Sequence, residues 1–315
     1  MAKFVPDAAE EFEDARAYAQ QAKSENTRRA YKADWNDFEA YLTKRNRSSL
    51  PASPDDVALY LRYLVQRRGL KVATVSRRLA AIAEQHQSNG YTSPSEEWIV
   101  RNTLRRLRCE HGAPARGKAP LLTDDLKKIM ETIPDTLAGV RDRALLLLGF
   151  AGAMRRRELV SIDVQDLALA PEGLVISINK SKTDQTRTGR KVGIPYGSVE
   201  ATCPVKAVLR WLEHSNLSDG PLFRGVTKHG AVRTTRLTDQ IVADIVKRYT
   251  KAIGKYASRF SAHSLRAGFI TSAAIAGVPE RAIQEQSGHQ SVTVLRRYIR
   301  DACIFRFNAA SKVGL

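Results

Sequence analysis

From Ala8 to about His111 the apolar residues recur at three- and four-residue spacing, with no convincing alternating run. That period predicts four or five helices and no strand. Ser24 to Thr27 reads as a helix start, and Tyr31, Trp35, Phe38 and Tyr41 behind it keep to one face. Ser53 caps a second helix carrying Val57, Leu59, Leu61 and Leu64, and Gly69 closes it. A third begins near Thr74 and turns Val75, Leu79, Ile82 and Ala83 inward, and a further one runs from about Ser95 through Ile99, Leu104 and Leu107.

After residue 112 the period stops. Gly112, Pro114, Gly117 and Pro120 interrupt a short aperiodic stretch, which predicts a linker over 113–120 between a domain at 1–112 and a second at 121–315. Beyond it the pattern predicts helices at about 123–133 and 138–153. The β-branched runs Leu174–Ile178 and Lys191–Ile194 then predict a hairpin whose long tip spans Asn179 to Arg190. Helices resume near Pro204 and are expected to continue to the end. The fold class implied is mainly α with a small antiparallel β-sheet: an all-helical N-terminal domain followed by an α+β domain.

Composition narrows the partner. The chain of 315 residues has 51 basic and 33 acidic side chains, a formal net charge of +18, and residues 113–315 carry +14 of it. An excess of that size predicts a polyanion, nucleic acid first. Three cysteines, far apart and without a Cys-x-x-Cys pair, argue against disulfides and a cysteine metal site. The longest apolar run, Ala144 to Met154, is too short to span a bilayer, so the expectation is a cytoplasmic protein with no membrane partner.

Four segments stand out against this framework: Ala153-Met-Arg-Arg-Arg-Glu-Leu159, Ser181-Lys-Thr-Asp184 at the hairpin tip, His263-Ser-Leu-Arg266, and Gly288-His289 running on to Tyr298. Each alone has an ordinary explanation as a solvated helix end, an exposed lysine or a packing tyrosine. Their order within one basic domain is what carries information.

In that order they resemble the catalytic domain of the tyrosine recombinases, the Xer-like and phage integrase family, over roughly residues 121–301. The resemblance implies Arg155, Lys182, His263, Arg266, His289 and Tyr298 as catalytic residues, with Glu158 supporting them. Arg156 or Arg157 competes with Arg155, because only the spacing to Glu158 selects among three successive arginines. The N-terminal part resembles the family's SAM-like core-binding domain by helix pattern and position.

These residue types suit phosphodiester transfer. Guanidiniums stay charged at any working pH and can clamp two phosphate oxygens, which suits Arg155 and Arg266. A phenol titrates near ~10 and needs a base, for which His263 is the candidate. An ammonium on a flexible tip can protonate the departing 5′ oxygen, a role the resemblance gives to Lys182, and His289 can bond the scissile phosphate. The product implied is a 3′-phosphotyrosyl link at Tyr298. Neither ATP nor a metal or other cofactor is expected, since the arginines supply the charge.

The resemblance further implies a clamp on double-stranded DNA carrying specific target sites. Arg28 and Lys32, on a face turned away from Trp35 and Phe38, and Lys71, Thr74, Arg77 and Arg78 on a second face, are candidate DNA contacts, with Lys118 and Lys247 as further ones. The apolar tail after Tyr298, with Ile304, Phe305 and Phe307 as anchors, implies docking on a neighbouring copy in a tetramer on two DNA sites. The rival readings are a type IB topoisomerase, which uses similar groups to relax supercoils, and a catalytically silent architectural DNA-binding protein.

Overall fold

The computed structural model describes residues 23–112, 117–178 and 189–302. Lys182, the hairpin tip around it, and the tail anchors Ile304, Phe305 and Phe307 lie outside the described residues. The chain divides into two compact units, 1–116 and 117–315.

The first unit is helical: α1 (Glu25–Thr43), α2 (Pro54–Gln66), α3 (Val72–Ser88) and α4 (Trp98–His111). Ser24 and Ser53 cap the first two through their hydroxyls, which accept the backbone N–H groups of Thr27 and Asp56. Phe38, Leu42, Leu61, Leu64, Val75, Ile82, Leu104 and Leu107 fill the core. Leu59 is 54% exposed, and Tyr60 beside it is buried. The helical period explains the difference. Val57, Leu61 and Leu64 define the inner stripe of α2, and a residue two positions from both Val57 and Leu61 falls outside it.

The second unit begins earlier than the pattern suggests. The Ala119 and Leu121 N–H groups donate to the carbonyls of Arg259 (2.8 Å) and Ser264 (2.9 Å), so the end of the expected linker is already part of this unit. Gly268 makes that entry possible, because a Cβ there would lie 1.8 Å from the Leu121 carbonyl oxygen.

Its elements are α5 (Thr123–Thr132), α6 (Leu137–Ala151) and α7 (Arg156–Ser161), then β1 (Leu167–Ala170), β2 (Gly173–Ile178) and β3 (Arg190–Pro195). After these come α8 (Pro204–Ser215), β4 (Arg224–Val226), β5 (Val232–Arg236), α9 (Asp239–Ala252), α10 (His263–Ala276), α11 (Glu280–Ser287) and α12 (Val292–Ala302). The apolar helix α6 is buried nearly all round, packed on α8 and α10. Strands β1, β2 and β3 form an antiparallel sheet in that order, with Leu174 opposite Ile194 and Ile176 opposite Val192 on the buried face.

The helices expected to continue from Pro204 are interrupted by the β4–β5 hairpin. Long-range contacts hold it: Leu237 N–H donates to the Phe223 carbonyl, and Arg236 donates to the carbonyls of Val160 and Ile162 and to Asp163. No helix among the described residues is long and apolar enough to cross a membrane.

Candidate active site

The first part of the site is a turn after α6. Ala153 sits fully buried at φ +46°, a left-handed conformation that strains an alanine by roughly 1–2 kcal/mol. Its carbonyl accepts a hydrogen bond from Arg266 Nη1 at 2.7 Å, which helps to hold the turn.

Arg155 follows as the N-cap of α7, and Glu158 reaches back to it. One Glu158 oxygen accepts the Arg155 backbone N–H at 3.0 Å and the other accepts Nη1 at 2.5 Å. Burial alone would raise the Glu158 pKa. The hydrogen bonds from Arg155, with the charges of Arg155 and Arg190, outweigh it and hold the carboxyl below its ordinary range. The three successive arginines therefore divide. Arg156 and Arg157 extend to Asp239, at 3.0 and 3.3 Å, while Arg155 alone engages Glu158.

Arg266 lies one turn into α10 and is 2% exposed. Nη1 donates to the carbonyls of Ala153 and Ser287, the latter at 2.5 Å, and Nη2 lies 3.1 Å from His289 Nδ1 and 3.2 Å from Nε2. Arginine has only donors, so the ring nitrogen it bonds must be unprotonated. Burial, then Arg266 and Arg155, push the His289 pKa down to about 4. Burial and the neighbouring Arg155 lower Arg266 itself to about 10, which leaves it charged at neutral pH.

The third part is the contact between α10 and α12. His263 Nε2 and Tyr298 Oη are 2.8 Å apart. The phenol ring lies between two imidazoles, with centroids 6.2 Å from His263 and 6.3 Å from His289. Leu295, Tyr298 and Ile299 on α12 pack with Ile270, Ala273 and Ala274 of α10 and Ile283 of α11, which fixes the approach. Although His263 is exposed at the mouth of the site, surrounding protein and the guanidiniums of Arg266 and Arg155 lower its pKa. An unprotonated imidazole that accepts the phenol proton is the state this environment favours.

Arg155, Glu158, His263, Arg266, His289 and Tyr298 are thus brought together. Sequence reasoning missed Arg190, which bonds Glu158 at 3.3 Å. Its signal was available: Arg190, Val192 and Ile194 share one face of β3 by strand alternation, and an arginine on a buried face calls for a partner.

The expected DNA contacts are more scattered. Arg28 and Lys32 are exposed, but they line a groove together with Tyr31 and Trp35 rather than facing away from Trp35. Lys71 is exposed at the start of α3, and Thr74 is half-buried. Arg77 pairs with Asp34 at 2.8 Å. Arg78 is largely buried against Asp34, Asp37 and the Tyr60 hydroxyl, so its guanidinium ties α1, α2 and α3 together. Lys118 donates to the Ser258 carbonyl at 2.6 Å, and Lys247 lies 4.0 Å from Asp244. We expect Arg78→Ala to destabilise the N-terminal unit by about 1–3 kcal/mol, because it removes the cation set between the buried Asp34 carboxylate and Asp37. Calorimetry would detect this, and an unchanged unfolding transition would argue for a surface role instead.

Comparison with known proteins gives the family. The chain matches the phage integrase family over residues 120–303 and the phage integrase N-terminal SAM-like domain over residues 16–88. It is 38% identical over 298 residues to an integrase/recombinase XerD homolog of Selenomonas ruminantium, covering 93% of this chain and 87% of that one. It is 29% identical to the recombinase Cre of Escherichia phage P1, covering 89% and 85%. Among solved structures it resembles XerH site-specific recombinase bound to palindromic difH substrate, with TM-score 0.65 and 21% identity over 90% of this chain and 79% of that one. The chain belongs to the phage integrase family, as a tyrosine recombinase of the Xer type. It is a site-specific recombinase, and therefore an enzyme.

Proposed function

We propose that the chain cuts and rejoins double-stranded DNA at specific sites through Tyr298. The phenolic oxygen forms a bond to the scissile phosphorus as the bond to the 5′ oxygen breaks. The phenol proton passes to His263 Nε2, and Lys182 protonates the departing 5′ oxygen. Arg155 and Arg266 bind the non-bridging oxygens, where negative charge builds up, and His289 donates a further hydrogen bond once its tautomer places a proton toward the phosphate. Attack by the freed 5′ hydroxyl of another strand reverses the step and restores the phenol, so the ester's energy is conserved.

The observation that carries this reading is the 2.8 Å contact of Tyr298 with His263 beside two buried or half-buried guanidiniums. The exposed Arg28, Lys32 and Lys71 of the N-terminal unit add a phosphate-binding surface. Homologues captured on DNA support the same partner, among them a lambda integrase dimer bound to a core site. The working form is a tetramer on two sites in the cytoplasm, with Ile304, Phe305 and Phe307 docking on the neighbouring copy.

A nicked suicide duplex tests the reading, because the short fragment bearing the freed 5′ hydroxyl diffuses away and leaves the adduct trapped. The trapped species should carry a 3′ phosphate on Tyr298, and native mass measurement should find four chains on two duplexes. A 5′ linkage, or attachment elsewhere on the chain, would refute it.

The pH dependence has a definite sign. Cleavage requires His263 unprotonated, so the rate falls as acid protonates Nε2. Because the ring's pKa in the free protein is held below its ordinary 6.5, the acid limb of kcat/KM should have its midpoint below 6.5. A midpoint above that value would mean that another group is the base.

A further inference from the structure

Arg190 opens β3 on the strand's inward face and spans two other elements. Nη2 donates to Glu158 Oε2 at 3.3 Å, and Nη1 donates to the Gln286 carbonyl at 3.0 Å. The Gln286 side-chain amide donates in turn to the carbonyls of Ala151 (2.9 Å) and Gly193 (3.1 Å). One ring of contacts therefore joins β3, the end of α6, the first turn of α7 and the end of α11. Arg155 caps α7 and His289 follows α11.

Gly288 belongs to the same arrangement. It adopts φ +63°, and a Cβ there would meet the Arg190 Nε and Cζ atoms at 3.0 Å. The near-equal distances put the guanidinium face-on against the turn that leads into His289. With its side chain only 21% exposed this cation is costly to hold, and replacing such a buried pair by apolar side chains is often neutral or stabilising, which asks what the charge is for.

We propose that Arg190 is a positioning residue for strand cleavage: by bridging Glu158 and the Gln286 carbonyl it fixes the Arg155 guanidinium and the Gly288–His289 turn relative to one another, so that both meet the same phosphate. This rests on the recombinase chemistry above. Arg190 touches no reacting atom and acts through Glu158 and the turn.

The test uses the full chain on the nicked suicide duplex, with single-turnover cleavage, DNA affinity and thermal unfolding measured together. Arg190→Met should slow cleavage by about 10²-fold at unchanged affinity, the order of loss expected from a small misplacement of catalytic groups. Arg190→Lys keeps the charge but reaches only one acceptor, so it should recover part of the rate. Glu158→Gln combined with Arg190→Met should cost no more than the slower single variant, since both break one network. Cleavage by Arg190→Met at the unaltered rate, or losses that multiply in the double variant, would overturn the proposal. If Arg190→Met does not fold, Arg190→Lys decides alone: slowed cleavage with normal unfolding supports the proposal, and normal cleavage overturns it. A chain that forms no adduct even unaltered would defeat the recombinase chemistry, and this proposal with it. A normal adduct with a fast Arg190→Met defeats this proposal only.

Discussion

Tyr298→Phe is expected to bind target DNA as tightly as the unaltered chain and to form no covalent adduct with it. The substitution keeps the ring that packs with Leu295 and Ile299 against α10, and removes only the oxygen that faces His263 Nε2. A lost hydrogen bond at a half-buried position should change stability by no more than about 1 kcal/mol. Loss of the attacking atom itself removes the reaction path, a loss on the order of 10⁶-fold where a nucleophile is deleted from a group acting as a unit. Denaturing gels of the suicide-substrate reaction, with affinity measured in parallel, separate the two effects. An adduct that persists in the phenylalanine variant would move the nucleophile elsewhere. A tenfold drop in affinity without the hydroxyl would give that oxygen a binding role instead.

The helices of the first unit were legible because burial in them follows the helical period closely, whereas α6 showed itself as a long apolar run buried on nearly every face. Phe38, Leu61, Leu64, Ile82, Leu104 and Leu107 could each be assigned to the core from spacing alone. Leu59 shows where hydrophobicity misleads, since an apolar residue off the inner stripe is left exposed despite its chemistry. The β4–β5 hairpin was not legible. Val232-Arg-Thr-Thr-Arg236 is short and polar, and what makes it a strand is its pairing with β4 and the reach of Arg236 to Asp163 and two carbonyls. At the site, order and spacing nominated the side chains, but only the three-residue spacing to Glu158 set Arg155 apart from Arg156 and Arg157. Asp239, about eighty residues away, engages the latter two, and only the folded chain brings it there. Arg78 reads as surface until its buried partner Asp34 is known, whereas Arg190 betrays itself only through the inward alternation of β3.

Arg266→Ala should be the most damaging change that leaves the nucleophile in place, and it should act twice. The buried fork satisfies the carbonyl of a strained alanine and the carbonyl of Ser287 at the end of α11, so its loss orphans two acceptors. Leaving buried polar groups unpaired costs about 1–3 kcal/mol each, and the melting transition should shift accordingly. Removing a preorganised cation from a site of developing charge should also slow cleavage by about 10²–10³-fold per folded molecule. Normalising the single-turnover rate to the folded fraction, at a temperature well below the transition, keeps the two apart. The ring of His289 gives an independent reading. After burial, Arg266 is the largest influence holding its pKa down to about 4, so NMR titration of Arg266→Ala should find that pKa higher. Arg266→Lys sharpens the contrast: an ammonium restores charge but cannot bond both carbonyls and the imidazole from one plane, so cleavage should stay slow while His289 moves back toward its low value. If Arg266→Ala cleaved at the unaltered rate per folded molecule, the guanidinium would be a fold-holding group alone, and the charge that stabilises the transition state would have to come from elsewhere.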